Sequence, residues 1–316
     1  MVDQVEASDD RNVILTDSTE NIDLYPHLEI NKDRNKELTI DDVTTGEASQ
    51  LFVLPEEVEQ KTGFFETGNW FRFTVENHSN ERDWLLEFGF PLVYEIELYA
   101  EENGELKLLY EGGVVTHPYS HKEITHRNFV FDIAVTQGTS RDFYIMAAGP
   151  GDLLPPILIW DKNKFVEKTQ VEFILLGIYY GIILVMVIYN LFIFASLRIK
   201  SYLFYVFVIL FVLLGALSIN GIGFQYLWPN YPTWNYYATP FFVTLAMMFV
   251  LIFSKHFLNL TKYIRPFNYF YYPLITLKVL VLATLFISHY LSLTLMVITS
   301  FLSFILVLVS ATIALI

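Results

Sequence analysis

Through much of the first half of the chain, apolar residues recur at every second position. "NWFRFTVEN" places Phe71, Phe73 and Val75 on one face and Trp70, Arg72 and Thr74 on the other. "DWLLEFGF" turns Trp84, Leu86, Phe88 and Phe90 inward. "VYEIELYA" turns Tyr94, Ile96 and Leu98 inward and Glu95, Glu97 and Tyr99 outward. "RNFVFDIAV" aligns Phe129, Phe131, Ile133 and Val135, and "RDFYIMAAG" aligns Phe143, Ile145 and Ala147. A period of two is the pattern of half-buried strands. "HSNERD", "EENGE", "TQGTS" and "GPGD" supply the turns between them. Short strands with one apolar face each predict an all-β sandwich, and roughly 150 residues suffice for one core.

From Phe173 the pattern changes to unbroken apolar runs. Five are read as membrane helices: 173–197, 203–223, 239–258, 271–288 and 291–316. Each approaches or exceeds the roughly 18–20 residues that cross a bilayer as helix. The predicted organisation is therefore a tail at 1–10, a β-sandwich at 11–160, a juxtamembrane linker at 161–172 and an α-helical transmembrane bundle at 173–316. The fifth run stops at Ile316 without a basic residue, which reads as a C-terminal truncation. The N-terminus has no basic and apolar stretch of the kind a signal peptide carries.

Charge separates the same two halves. All 34 acidic residues lie in Met1–Glu172, which has 14 basic ones, a formal charge of −20; the remainder carries 6 basic residues and no acid. A half this acidic is not expected to bind nucleic acid. Arg198 and Lys200 follow the first helix, and Lys255, Lys262 and Arg265 surround the link between the third and fourth. The intervening outer links have none, so the asymmetry predicts that the sandwich lies outside the cytoplasm. The link "QYLWPNYPTWNYY" is aromatic-rich, as an interfacial belt or a docking ledge would be. Lys278 is expected to snorkel to the cytoplasmic face. No Asp or Glu lies in the helices, which weighs against coupled transport.

No cysteine is present, and no P-loop, G-x-S-x-G or H-E-x-x-H motif occurs. No enzyme, cofactor or metal site is predicted; His117, His121 and His126 come closest to metal spacing. Trp70 and Tyr99, read as outward, together with Arg72, Glu95 and Glu97, could form a platform for a sugar. An aromatic face stacks on a pyranose and charged groups take its hydroxyls. The alternative is scattered surface aromatics. In the first helix, Met186 and Asn190 each fall within about 20° of Tyr179. Gly177 and Gly181 lie on nearly the opposite side, suited to close approach of a neighbouring helix. Asn190 is expected to seek a partner across the bundle.

"GIYYGIILVMVIYNLFIFASLRIKSYLFYV", "GIGFQYLWP" and "FSKHFLNLTKYIRP" resemble the membrane domain of the bacterial seven-transmembrane receptors with diverse intracellular signalling modules. "NWFRFTVENHSNERDWLLEFGFPLVYEIELY" and "HRNFVFDIAV" resemble that family's extracellular sensor, a jelly-roll related to carbohydrate-binding modules. The resemblance spans about Asn12 to Ile316. It implies a multi-pass receptor of the bacterial inner membrane, with seven helices and a cytoplasmic output module beyond those present here. It also implies ligand contacts from the loop holding Tyr119, His126 and Arg127, in which the family commonly has an Arg near Lys122. Arg127 either hydrogen-bonds a hydroxyl or carboxylate or ties the loop to the sheet. The expected function is a signalling receptor for a small molecule or saccharide, with Tyr179 and Asn190 in transmembrane coupling. Lipids and a homodimeric partner complete the expected interactions. The rival reading is a transporter or accessory subunit with a substrate-capturing outer domain.

Overall fold

The computed structural model describes residues 12–58, 66–102, 104–151, 154–260 and 265–315. It divides into two compact units, one of residues 1–171 with 229–232, the other of residues 172–228 with 233–316.

The first unit is a two-sheet β-sandwich. Its strands are β1 (Val13–Leu15), β2 (Asn21–Asp23), β3 (Glu29–Asp33), β4 (Glu66–Asn77), β5 (Asp83–Phe88), β6 (Glu95–Glu102), β7 (Glu105–Gly112), β8 (Phe129–Ala134), β9 (Ser140–Pro150) and β10 (Ile157–Trp160). The larger sheet has the order β1-β4-β9-β6-β7, with β3 also paired to β4; the smaller has the order β2-β10-β5-β8. The alternation explains the core between them. Phe71 meets Phe88 edge-on across the sheets at 6.0 Å, and Tyr110 meets Phe131 at 4.9 Å. Phe73 stacks on Phe143 of the neighbouring strand at 5.5 Å.

Both outer faces are also covered. On the larger sheet, Trp70 and Tyr144 are buried against Val43 and Ala48, with Leu38, Ile40 and Phe52 beside them. These come from the stretch between β3 and β4, which includes helix α1 (Ile40–Thr44). Thr39 caps α1 reciprocally with Asp42. On the smaller sheet, Leu85 and Val130 pack against Phe165, with Ile124 and Trp160 at the margin.

Phe165 belongs to helix α2, which runs unbroken from Lys162 to Leu197. The stretch 161–172, expected as a linker, is thus helical from Lys162. Asp161 starts it, its Oδ1 accepting the amides of Asn163 and Lys164 at 2.9 and 3.0 Å. The later helices are α3 (Lys200–Ile219), α4 (Ile222–Tyr226), α5 (Pro232–Phe257), α6 (Arg265–Thr284) and α7 (His289–Leu315). Among the described residues, four helices are long and apolar enough to cross a membrane: α2, α3, α5 and α7; Tyr269–Thr284 is a shorter apolar stretch.

Two expectations for these helices change. Lys278 does not snorkel: it is fully buried, and its ammonium donates to Thr299 Oγ1 and Ser300 Oγ of α7, both at 2.8 Å. It lies in the second half of α6, where hydroxyls of the adjacent helix solvate it instead of water. Gly177 and Gly181 face open space rather than a close neighbour.

Candidate functional site

The stretch after β3 makes a tight turn held by one carboxylate. Asp33 Oδ1 accepts the Glu37 amide and Oδ2 the Leu38 amide, each at 2.9 Å. Lys36 takes a left-handed backbone at φ 56° to close that turn. The turn stands over the outer face of the larger sheet and leaves a cavity of about 380 Å³. Trp70, Glu95, Glu97, Tyr99 and Met146 line it from the sheet, and Asp33, Lys36, Leu38, Thr39 and Ile40 from the turn and α1. A smaller hollow of about 220 Å³ adjoins it, sharing Glu95 and Glu97 and adding Glu111, Gly112, Thr116 and His117.

The wall is acidic with one cation. Lys36 Nζ pairs with Glu95 Oε2 at 2.8 Å. Tyr99 donates its hydroxyl to Glu97 Oε2 at 2.6 Å. Burial, then the bond to Glu97 and the charges of Glu97 and Glu111, push the Tyr99 phenol well above its ordinary range. It stays a neutral donor at any physiological pH. Tyr99 and Trp70 lie with ring centres 5.9 Å apart, tilted by 33°. The Trp70 indole N–H has no partner among the described residues. The arrangement offers carboxylates to accept from hydroxyls or amines, one ammonium to donate, and an aromatic wall.

Of the sequence-predicted ligand residues, Trp70, Glu95, Glu97 and Tyr99 line this one cavity. Trp70 is on the outer face as its alternation required, yet only 2% exposed, because Val43 and Ala48 cover it. Its expected solvent exposure is corrected accordingly. Arg72 is on the same face but engaged: Nε donates to Glu29 at 2.8 Å and the guanidinium sits over Phe52. Tyr119, His126 and Arg127 are not brought to the cavity wall. Tyr119 is buried and donates to the His126 carbonyl at 3.0 Å. His126 is buried edge-on to Phe165 at 5.2 Å. Arg127 is half-buried and lends its carbonyl to Lys122 at 2.8 Å.

Lys122, named in the sequence only as standing near a family Arg, has a structural role that the sequence did not indicate. Its ammonium donates to three successive carbonyls, those of His126, Arg127 and Asn128, at 3.1, 2.8 and 3.1 Å. It also lies 4.1 Å from the Phe129 ring centre. Burial, and secondarily the Arg127 charge, pull its pKa down to about 7. Asp33, Lys36 and Thr39 were missed, because only the tertiary fold brings their turn over the sheet.

In α2, Tyr179 is exposed and Asn190 is 8% exposed. The Asn190 amide donates to the Met186 carbonyl one turn back at 2.8 Å, not across the bundle as expected. A separate cavity of about 360 Å³ in the helical unit is lined by Asn190, Ile199, Ser201, Tyr202, Tyr205, Phe253 and Phe257. Among the described residues, no group of three or more His, Asp or Glu could hold a metal ion. His117 and His121 stack at 4.4 Å, with His121 Nε2 donating to the Glu111 carbonyl at 3.0 Å.

Two family models match the chain. The model described as 7TM diverse intracellular signalling covers residues 172–316, and the one described as 7TMR-DISM extracellular 2 covers residues 25–161. No match was found among curated proteins.

Proposed function

We propose a ligand-sensing role from one established premise: the chain belongs to the receptor family of 7TM diverse intracellular signalling proteins. It is a multi-pass membrane receptor with an extracellular domain. The sensing site is the cavity on the outer face of the larger sheet, and its ligand is a small polar molecule of the saccharide class. The observation that carries this reading is the convergence of Glu95, Glu97, Lys36 and the Tyr99 ring on one cavity of about 380 Å³. Carboxylates and an ammonium fix hydroxyls in place, and an aromatic ring takes the apolar face of a sugar. Binding biases the receptor between two states only if the ligand prefers one of them.

The test uses the full chain in lipid nanodiscs on a glycan array, followed by calorimetry with any sugar that binds. Glu97→Gln and Tyr99→Phe are the informative variants, since both keep the packing and remove polar function. Each is expected to weaken binding about tenfold or more, the effect of losing a hydrogen bond to a charged group. Binding that is unchanged in both variants would remove this cavity from consideration. Trp70→Ala is a poor probe, because removing a covered indole opens a hole in the sheet's outer layer.

A further inference from the structure

We propose that Glu87 is the relay through which the loop 113–128, one wall of the smaller hollow that adjoins the sensing cavity, is tied to the first turns of α2. Glu87 lies on the outer face of the smaller sheet, yet is only 2% exposed. A carboxylate is held there only if donors replace the water it has lost. Three do, each from a different part of the fold. Asn128 Nδ2 donates to Oε1 at 2.7 Å, Trp160 Nε1 to Oε2 at 2.9 Å, and Lys168 Nζ to Oε1 at 2.7 Å. Asn128 precedes β8, Trp160 ends β10, and Lys168 stands on α2.

From Glu87 the contacts run back to the hollow without a gap. Asn128 is the last of the three residues whose carbonyls the Lys122 ammonium gathers. Tyr119 fixes the first of them through the His126 carbonyl. Tyr119 opens the short turn that ends at His121, and His121 bonds the Glu111 carbonyl and stacks on His117. His117, Thr116 and Glu111 line the hollow beside Glu95 and Glu97. A second contact reinforces the far end, where the His126 ring meets Phe165 of α2. Lys122, Glu87 and Lys168 are thus positioning residues, and the two-state element is the Glu87–Lys168 bond, closed or open. Coupling through the relay is read at both of its ends at once.

The relay rests on the receptor reading only for the direction of the signal, and its test needs no ligand. Amide hydrogen exchange is followed in the full chain in nanodiscs. Lys168→Met, at a half-buried position on the helix, should speed exchange about tenfold in residues 162–171, as expected for losing a charge-assisted bond. It should speed exchange in 113–128 in step, and leave the centres of β4 and β9 unchanged. Lys168→Arg should restore protection at both ends. Lys122→Met should reproduce the effect from the other end, loosening 162–171. An effect of Lys168→Met confined to 162–171, or absent altogether, overturns the relay. So does an unchanged 162–171 in Lys122→Met. None of these results bears on whether Glu97→Gln loses sugar, so the two readings fail separately.

Discussion

The two units handle buried polar groups in opposite ways. In the sandwich they reach across the fold. Glu87 joins three elements. Asn77 donates to the carbonyls of both Glu81 and Val135, and Asn31 to that of Ala48. In the helical unit many fold back on their own helix. Asn190 bonds Met186, Ser218 bonds Leu214, Ser303 bonds Thr299 and Ser310 bonds Leu306, each to the carbonyl one turn earlier. Lys278, the Trp228–Asn235 pair, Ser292 bonding the Val281 carbonyl, and Tyr180 with Asn220 and the Ala216 carbonyl are exceptions. A cross-fold bond specifies register, because sliding one element breaks it. A bond within a helix moves with that helix and specifies nothing about its neighbours. The sandwich is therefore pinned by polar contacts, whereas helix placement in the membrane unit rests mainly on side-chain packing. A receptor needs one part that holds a binding geometry and another that can exchange arrangements at low cost.

The largest effect should come from unpinning the sandwich. Glu87→Ala leaves the Lys168 ammonium, the Asn128 amide and the Trp160 indole without their acceptor. The Lys168 left behind is half-buried and can reach water, so the loss is that of charge-assisted hydrogen bonds, about 1.5–3 kcal/mol. Urea unfolding of the sandwich in the full chain should show a loss in this range. A loss under about 1 kcal/mol, the ordinary value for a surface pair, would show that the contact is not pinning the fold.

How much of this was legible in sequence depended on distance along the chain. Alternation placed Phe71 and Phe73 toward the core and Trp70 toward the other face, because pleating is local. It gave no sign that residues 38–52 would cover Trp70, since that contact joins segments about twenty or more residues apart and leaves no period. The membrane helices were visible as apolar runs for the same local reason. The start of α2 was hidden by its polarity, and "DKNKFVEKTQVE" read as linker. The signal was nonetheless present: Asp161 is a good N-cap residue, and Phe165 and Lys168 are spaced to share one helical face. Four of the proposed ligand residues met in one cavity because they sit on outward positions of β4 and β6, two strands of one sheet with β9 between them. Tyr119, His126 and Arg127, taken from family resemblance, belong instead to the loop that leads to Glu87.

An intermediate effect separates burial from bonding at Lys122. Its pKa falls to about 7 in the folded chain, with burial the larger cause and Arg127 the smaller. In the unfolded chain it titrates near the ordinary 10.5. Between these values the unfolded state holds a proton that the folded state has released, so stability should rise with pH from about 7 toward 10. The limit is about 1.4 kcal/mol per pH unit, and the three carbonyls, which favour the charged form, reduce it. Unfolding free energies at pH 7, 8 and 9 for the native chain and Lys122→Met should diverge by this rise. Parallel curves would mean that the carbonyl cage fully offsets burial.

The smallest effect is expected in the helical unit, and it tests the other side of the contrast. Asn190 is the buried amide of α2, and a polar group at membrane depth usually contributes about 0.6–2 kcal/mol when it bonds across helices. Here the bond is to Met186 in the same helix, so no interhelical contact is lost when it is removed. Asn190→Leu makes α2 more apolar and leaves its backbone bonds intact. Insertion should be unchanged, and stability should shift by less than about 0.5 kcal/mol, as for substitutions away from any polar network. The side chain also borders the cavity formed with Tyr202, Tyr205 and Phe253. A leucine there changes packing between α2, α3 and α5 without breaking a register-setting bond. Cysteine cross-linking between α2 and α3 should accordingly proceed at a changed rate while the melting temperature stays put. A large stability loss in Asn190→Leu would show that this amide pins the bundle as Glu87 pins the sandwich, and the contrast between the units would fall.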